Sequence, residues 1–261
     1  MKYWRTFIFA LQTELQYRAN LIMWFVVGAI GPLTMLLVWF AILGEKSSIG
    51  GYTKGDFVIY YLLMTFGWYI VGGEFSRQIG RAIKNGDINK TLLKPYNIVL
   101  GEAVQEQAWK LTSLIVSMPA LALVLYVMRD YVVWHSIPGQ GWWIATSLLL
   151  GAIIFALIQA TIGVFAFWVT EIWPFAEMMD VVLNLFGGML APIALLPVAV
   201  QKISYYLPFR YIFYEPIAMI LGNTPNPVEV IWRQSLCIVG LYVIYKLVWN
   251  AGIKRYEGIG G

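Results

Sequence analysis

The richest polar chemistry in the chain lies in residues 74–97, EFSRQIGRAIKNGDINKTLLKPYN. Arg77, Arg81, Lys84, Lys90 and Lys94 make it the densest basic run in the sequence. The stretch holds no histidine or cysteine, and the chemistry of such a basic run is recognition by charge. Phe75, Ile79 and Ile83 recur every four residues with Arg77, Arg81 and Lys84 on another side. That spacing predicts an amphipathic helix. Asn85-Gly86 is a helix stop, because glycine tolerates the left-handed conformation that ends a helix. Asp87 is placed to cap a second short helix carrying Ile88, Leu92 and Leu93, and Pro95 ends it.

Chemistry of other kinds has little to work with. The chain has no G-x-x-x-x-G-K-[ST] phosphate loop, no H-E-x-x-H and no G-x-S-x-G, so it is not expected to hydrolyse ATP itself or to act as an enzyme of those types. His135 is the one histidine and Cys237 the one cysteine. An intrachain disulfide is therefore impossible, and no metal site of the usual thiol or imidazole kind is expected. Among mid-span residues only Gln159 and Asn184 are strongly polar, and neither shuttles protons. With the aromatic Phe186 they are the candidates for lining a path through the membrane.

The elements that must position these residues are apolar. Of 261 residues, 60% are hydrophobic and 12% charged. The apolar residues fall in runs long enough to cross a bilayer, which takes ~20 residues of helix. The expected fold is one all-α integral membrane domain over 1–261. Residues 1–20 form an interfacial helix, with Trp4, Phe7, Ile8, Leu11 and Leu15 on one face. Six spans follow at about 21–43, 57–73, 108–128, 142–169, 181–200 and 231–249. Gly187, Ala191 and Ala194 in the fifth make a small-residue stripe suited to close helix packing, either between subunits or within one. Residues 201–228, interrupted by Pro208, Arg210, Glu215 and Pro216, read as a re-entrant or interfacial hairpin needing protein cover.

Basic residues set the orientation. Lys2, Arg5, Arg18, the five of the central stretch, Lys110, Lys246, Lys254 and Arg255 fall on the side of the termini. Lys46, Lys54, Arg129, Lys202, Arg210 and Arg233 fall opposite. Both termini, the central stretch and the acidic turn at 170–180 are thus expected in the cytoplasm, and the hairpin outside. The formal net charge of +4 reflects this placement and does not point to nucleic acid.

With the six spans and interfacial helix around it, the loop reading I-x-x-x-I-K-N-G-D-I-N-K-T-L-L-K-P resembles that of the permease subunit of ABC-2 type transporters. The matching residues are Ile79, Ile83, Lys84, Gly86, Asp87, Ile88, Leu92, Leu93, Lys94 and Pro95. The Leu-Leu-Lys-Pro form is similar to a bacterial subgroup grouped with drug and viologen-type exporters, and Leu207-Pro208-Phe209 resembles the family's external hairpin. The resemblance implies a permease of the bacterial plasma membrane, paired with an identical or related second permease. A separate ATPase subunit, carrying ATP and magnesium, would dock on residues 75–95. Arg77, Arg81 and Lys84 would meet an acidic rim, Gly86 and Asp87 would form the inserted turn, and Ile83 and Ile88 the apolar centre. Two other classes stay open on the residues alone: a self-contained secondary carrier or channel, and a non-transporting scaffold or membrane enzyme.

Overall fold

The computed structural model describes residues 2–89, 97–131, 141–224 and 226–256. Ordered elements among them are helical, apart from an isolated bridge between Ile49 and Tyr52. The chain opens with α1 (Lys2–Gln16), exposed or half-buried along its length, and turns at once into α2 (Arg18–Leu43). Next come α3 (Lys54–Val71) and the short α4 (Ser76–Lys84). Two long helices follow, α5 (Ile98–Val127) and α6 (Gly141–Val164). Helix α7 (Trp173–Phe186) leads into a bent region containing α8 (Val198–Tyr206) and α9 (Tyr214–Ile220). The long α10 (Pro227–Arg255) closes the chain.

Among the described residues, five helical stretches are long and apolar enough to cross a membrane: Ala19–Leu43, Lys54–Lys84, Ile98–Val127, Gly141–Phe167 and Pro227–Arg255. Helix α3 is the packed centre. A capping box starts it: Thr53 Oγ1 accepts the Asp56 N–H at 3.2 Å, and the Asp56 carboxylate accepts the Thr53 N–H at 2.8 Å. Phe57, Val58, Tyr60, Tyr61 and Met64 are buried against α6 and the segment around Tyr211–Met219. Helices α2, α5 and α10 instead leave large apolar side chains such as Ile30, Ile115 and Leu236 exposed. That is the surface of a protein whose solvent is lipid or another membrane helix.

Contacts define two ends. At one, Tyr3 accepts a hydrogen bond from the Asn97 N–H at 3.1 Å, α4 packs under α6, and Phe167 meets Trp249 and Tyr256 near the C-terminus. At the other lie the 44–53 loop, Tyr131 and the bent region; Gly50 abuts Leu195, and Gly55 abuts the Tyr131 carbonyl.

The span expected over 181–200 is not among the five membrane-length stretches, and the region instead holds the 14-residue α7. This helix starts earlier, with Pro174 in the first turn, where the missing N–H costs nothing. It then stops at Phe186, and Gly188 turns the chain at φ +84°. Gly187, Ala191 and Ala194 therefore do not form a helical stripe. Gly187 caps α7, buried Ala191 lies in the following bend, and Ala194 sits exposed in a 3-10 turn. The break is sustained by α3. Tyr60 donates to the Gly188 carbonyl at 2.6 Å and Tyr61 to the Leu190 carbonyl at 2.8 Å. Without the Tyr60 hydroxyl the buried Gly188 carbonyl would be orphaned in an apolar interior.

The region 201–228 is a chain of short helices with protein cover. Residues Tyr211 to Met219 are buried, and Arg210 pairs with the buried carboxylate of Glu215 at 2.5 Å. Gln234 of α10 fixes this region to α6, donating to the Ser147 carbonyl at 2.9 Å and the Tyr211 carbonyl at 2.8 Å.

Candidate docking site at helix α4

The amphipathic pattern over residues 75–84 does produce a helix, and its apolar side faces inward. Phe75, Ile79, Ile83 and Ile88 join Ile98, Val99, Ala160, Val164 and Tyr245 in one buried cluster. Gly163 of α6 makes the approach possible: a Cβ there would lie 2.8 Å from the Ile79 Cβ. Ile83 and Ile88, expected as the centre of a docking interface, are thus internal core residues. The apolar stripe is satisfied by the protein's own helices.

The basic side is partly satisfied as well. Arg77 pairs with Glu74 at 3.0 Å and with Glu177 at 2.9 Å. Lys84 pairs with Glu171. The acidic turn at 170–180 is therefore the electrostatic partner of α4. Arg81 is exposed, and its Nε makes a long 3.4 Å bond to the Arg77 carbonyl. Exposed Lys84, Asn85 and Asp87 continue the same surface. Between α4 and residues 166–173 lies a cleft of about 350 Å³, lined by Arg77, Gly80, Arg81, Lys84, Glu171 and Trp173. Trp173 is 59% exposed at its edge. An exposed tryptophan among guanidinium and ammonium groups is a composition that protein interfaces favour.

Gly86 adopts φ +78°, so the expected left-handed turn after α4 is present. Its N–H donates to the Ile83 carbonyl at 3.2 Å, and its carbonyl accepts the Asn89 N–H at 3.1 Å. Leu92, Leu93, Lys94 and Pro95 lie outside the described residues.

The path candidates separate. Gln159 is buried, and its Oε1 accepts the Ser76 N–H at 3.2 Å, capping α4 from α6. Asn184 is exposed and donates to the Asp180 carbonyl at 2.8 Å, and Phe186 is half-buried at the end of α7. The structure does not bring these three together. Sequence reasoning missed the pairing of α4 with the 171–177 turn. The available signal was two segments of opposite charge expected on one side of the membrane.

No curated protein matches the chain. A family model described as an ABC-2 family transporter protein matches residues 29–260.

Proposed function

The chain belongs to the ABC-2 transporter family, and from that premise we propose that it is the permease of an ATP-driven exporter whose ATPase is a separate subunit docking at α4. The observation that carries this reading is the surface at one end of the molecule. Helix α4 is seated on a buried apolar cluster, and its exposed side joins the 170–173 turn around a charged cleft. A loop that only skimmed lipid would not need its apolar face packed into a core or its cations paired across to a second turn.

Docking falls on the outward residues Arg81, Lys84, Asn85 and Asp87 with Trp173 beside them. Ile83 and Ile88 support the helix from below. ATP and magnesium act on the partner, whose closure pushes α4 and so reaches the membrane helices. The chain crosses the bilayer six times, the fifth crossing being made by α7 and the bent residues after it. Both termini then lie with α4 in the cytoplasm of a bacterial cell, and the bent region at 187–224 lies outside. A second permease, identical or related, covers part of the exposed apolar faces of α2, α5 and α10. Gln159 acts within this chain's own packing, so a translocation path is better sought at Asn184 and Phe186.

Co-purification in mild detergent tests the assignment. An ATPase chain should elute with this one. Arg81→Glu together with Trp173→Ala should release it while leaving the permease in the membrane. Undiminished association of the ATPase with that double variant would place docking elsewhere.

A further inference from the structure

Between α3 and α4 the helix breaks at Gly72-Gly73, with Gly73 at φ +140°. Three side chains from two other helices hold that break. Lys110 of α5 donates from Nζ to the carbonyls of Ile70 and Val71, at 3.3 and 3.1 Å, at the C-terminal end of α3. One turn earlier on α5, Glu106 Oε1 accepts the Glu74 N–H at 3.3 Å, on the α4 side of the break. Gln159 of α6 then accepts the Ser76 N–H at the start of α4. The polarity matches the backbone at each point: a cation meets exposed carbonyls and acceptors meet exposed N–H groups. The fit is close, because a Cβ on Gly73 would lie 2.7 Å from Glu106 Oε1. Positions 106 and 110 share one face of α5, yet each reaches backbone on its own side of the break. A carboxylate and an ammonium within a candidate span ordinarily suggest an ion or substrate site. Here both are engaged with backbone, and their reach defines a joint.

We infer that Glu106, Lys110 and Gln159 are positioning residues that pass a displacement of α4 to α5 and α6. This rests on the reading of α4 as the ATPase docking element. The break at Gly72-Gly73 leaves α4 without a continuous helical rod into α3. A push on α4 therefore travels through whatever grips the break from the side. Lys110 and Glu106 grip it from α5, and Gln159 with the Gly163–Ile79 contact grips it from α6.

The test uses the complete complex with its ATPase in lipid nanodiscs. Hydrogen exchange is read by mass spectrometry without nucleotide and after trapping with ATP and vanadate. In the parent complex, protection should change in Ser76–Lys84, in the α5 segment Ile98–Val127 and in the α6 segment Gly141–Val164. In Lys110→Met the change at Ser76–Lys84 should persist while that in α5 is lost, and in Gln159→Leu it should persist while that in α6 is lost. Lys110→Arg, which keeps a cationic donor, and Gln159→Glu, which keeps an acceptor oxygen, should restore the respective responses. A purely structural role would not separate the segments or follow the donor and acceptor chemistry. Persistence of the α5 response in Lys110→Met, or of the α6 response in Gln159→Leu, overturns the inference. Should Lys110→Met fail to assemble, Gln159→Leu decides alone. Absence of any nucleotide response in the parent would instead refute the docking reading, and the inference with it.

Discussion

Around α4, neighbouring residues do different work, and substitution should separate them. Ile88 is fully buried in the cluster beneath the helix. Truncating a buried isoleucine to alanine costs ~2–5 kcal/mol, so Ile88→Ala should lower the melting temperature of the purified permease without any partner present. Arg81 is exposed, and its bond to the Arg77 carbonyl is long at 3.4 Å. Arg81→Glu should leave that melting temperature unchanged and weaken ATPase binding, more at low salt than at high. The same melting temperature for both variants would dissolve the distinction. Gly86 sits at φ +78°, where a side chain strains the backbone by ~1–2 kcal/mol. Gly86→Val should therefore destabilise the permease by about that amount, whereas Gly86→Asn, a residue that tolerates the left-handed region, should be close to neutral. The left-handed turn was legible in the Asn-Gly pair. The fate of Ile83 and Ile88 was not, because an amphipathic stripe specifies that one side is buried and does not say against what.

For the elements, the main departure from the sequence is the expected fifth span. Hydropathy averages over a window and reads 181–200 as one apolar rod. It does not register that two tyrosine hydroxyls on α3 are placed to satisfy carbonyls freed by a break at Gly188 and Leu190. Those hydroxyls should be worth measuring one at a time. Tyr60→Phe leaves the buried Gly188 carbonyl unpaired, which costs ~1–3 kcal/mol; the half-exposed pair at Tyr61 should lose less. Melting curves of the two variants in the same detergent give the comparison, and equal, negligible losses would mean the break sustains itself. The pairing of α4 with the 171–177 turn is likewise a tertiary fact. Exposed ion pairs are usually worth ~0.2–1 kcal/mol, so Lys84→Glu alone should cost little stability. Combining it with Glu171→Lys should recover that small loss in the same melting curves, and losses that simply add would show that the pair contributes nothing.

For the whole molecule, membrane character, helical class and the interruption at α4 followed from composition and periodicity, since length and hydropathy are sufficient to mark helices that cross lipid. What did not follow was which faces lie against one another. The orientation is open to direct measurement. In a Cys237→Ala background, cysteine at Ser47 should react with an impermeant thiol reagent in intact cells, and cysteine at Asn85 only after permeabilisation. Labelling of Asn85 in sealed cells would invert the topology. The ion pairs at α4 also bear on how the molecule is made. Lys84 and Glu171 are 87 residues apart in the chain, and Arg77 and Glu177 are 100 apart. At a ribosomal rate of about 5–20 residues per second, α4 is made several seconds before the 171–177 turn. During that interval Lys84 lacks Glu171 and Arg77 has only its neighbour Glu74, so under the proposed orientation this less neutralised basic side helps retain the loop on the side of the ribosome. The same arginine and lysine are then discharged as a signal once the turn arrives. A charge that instructs the translocon early becomes a fastener in the finished permease.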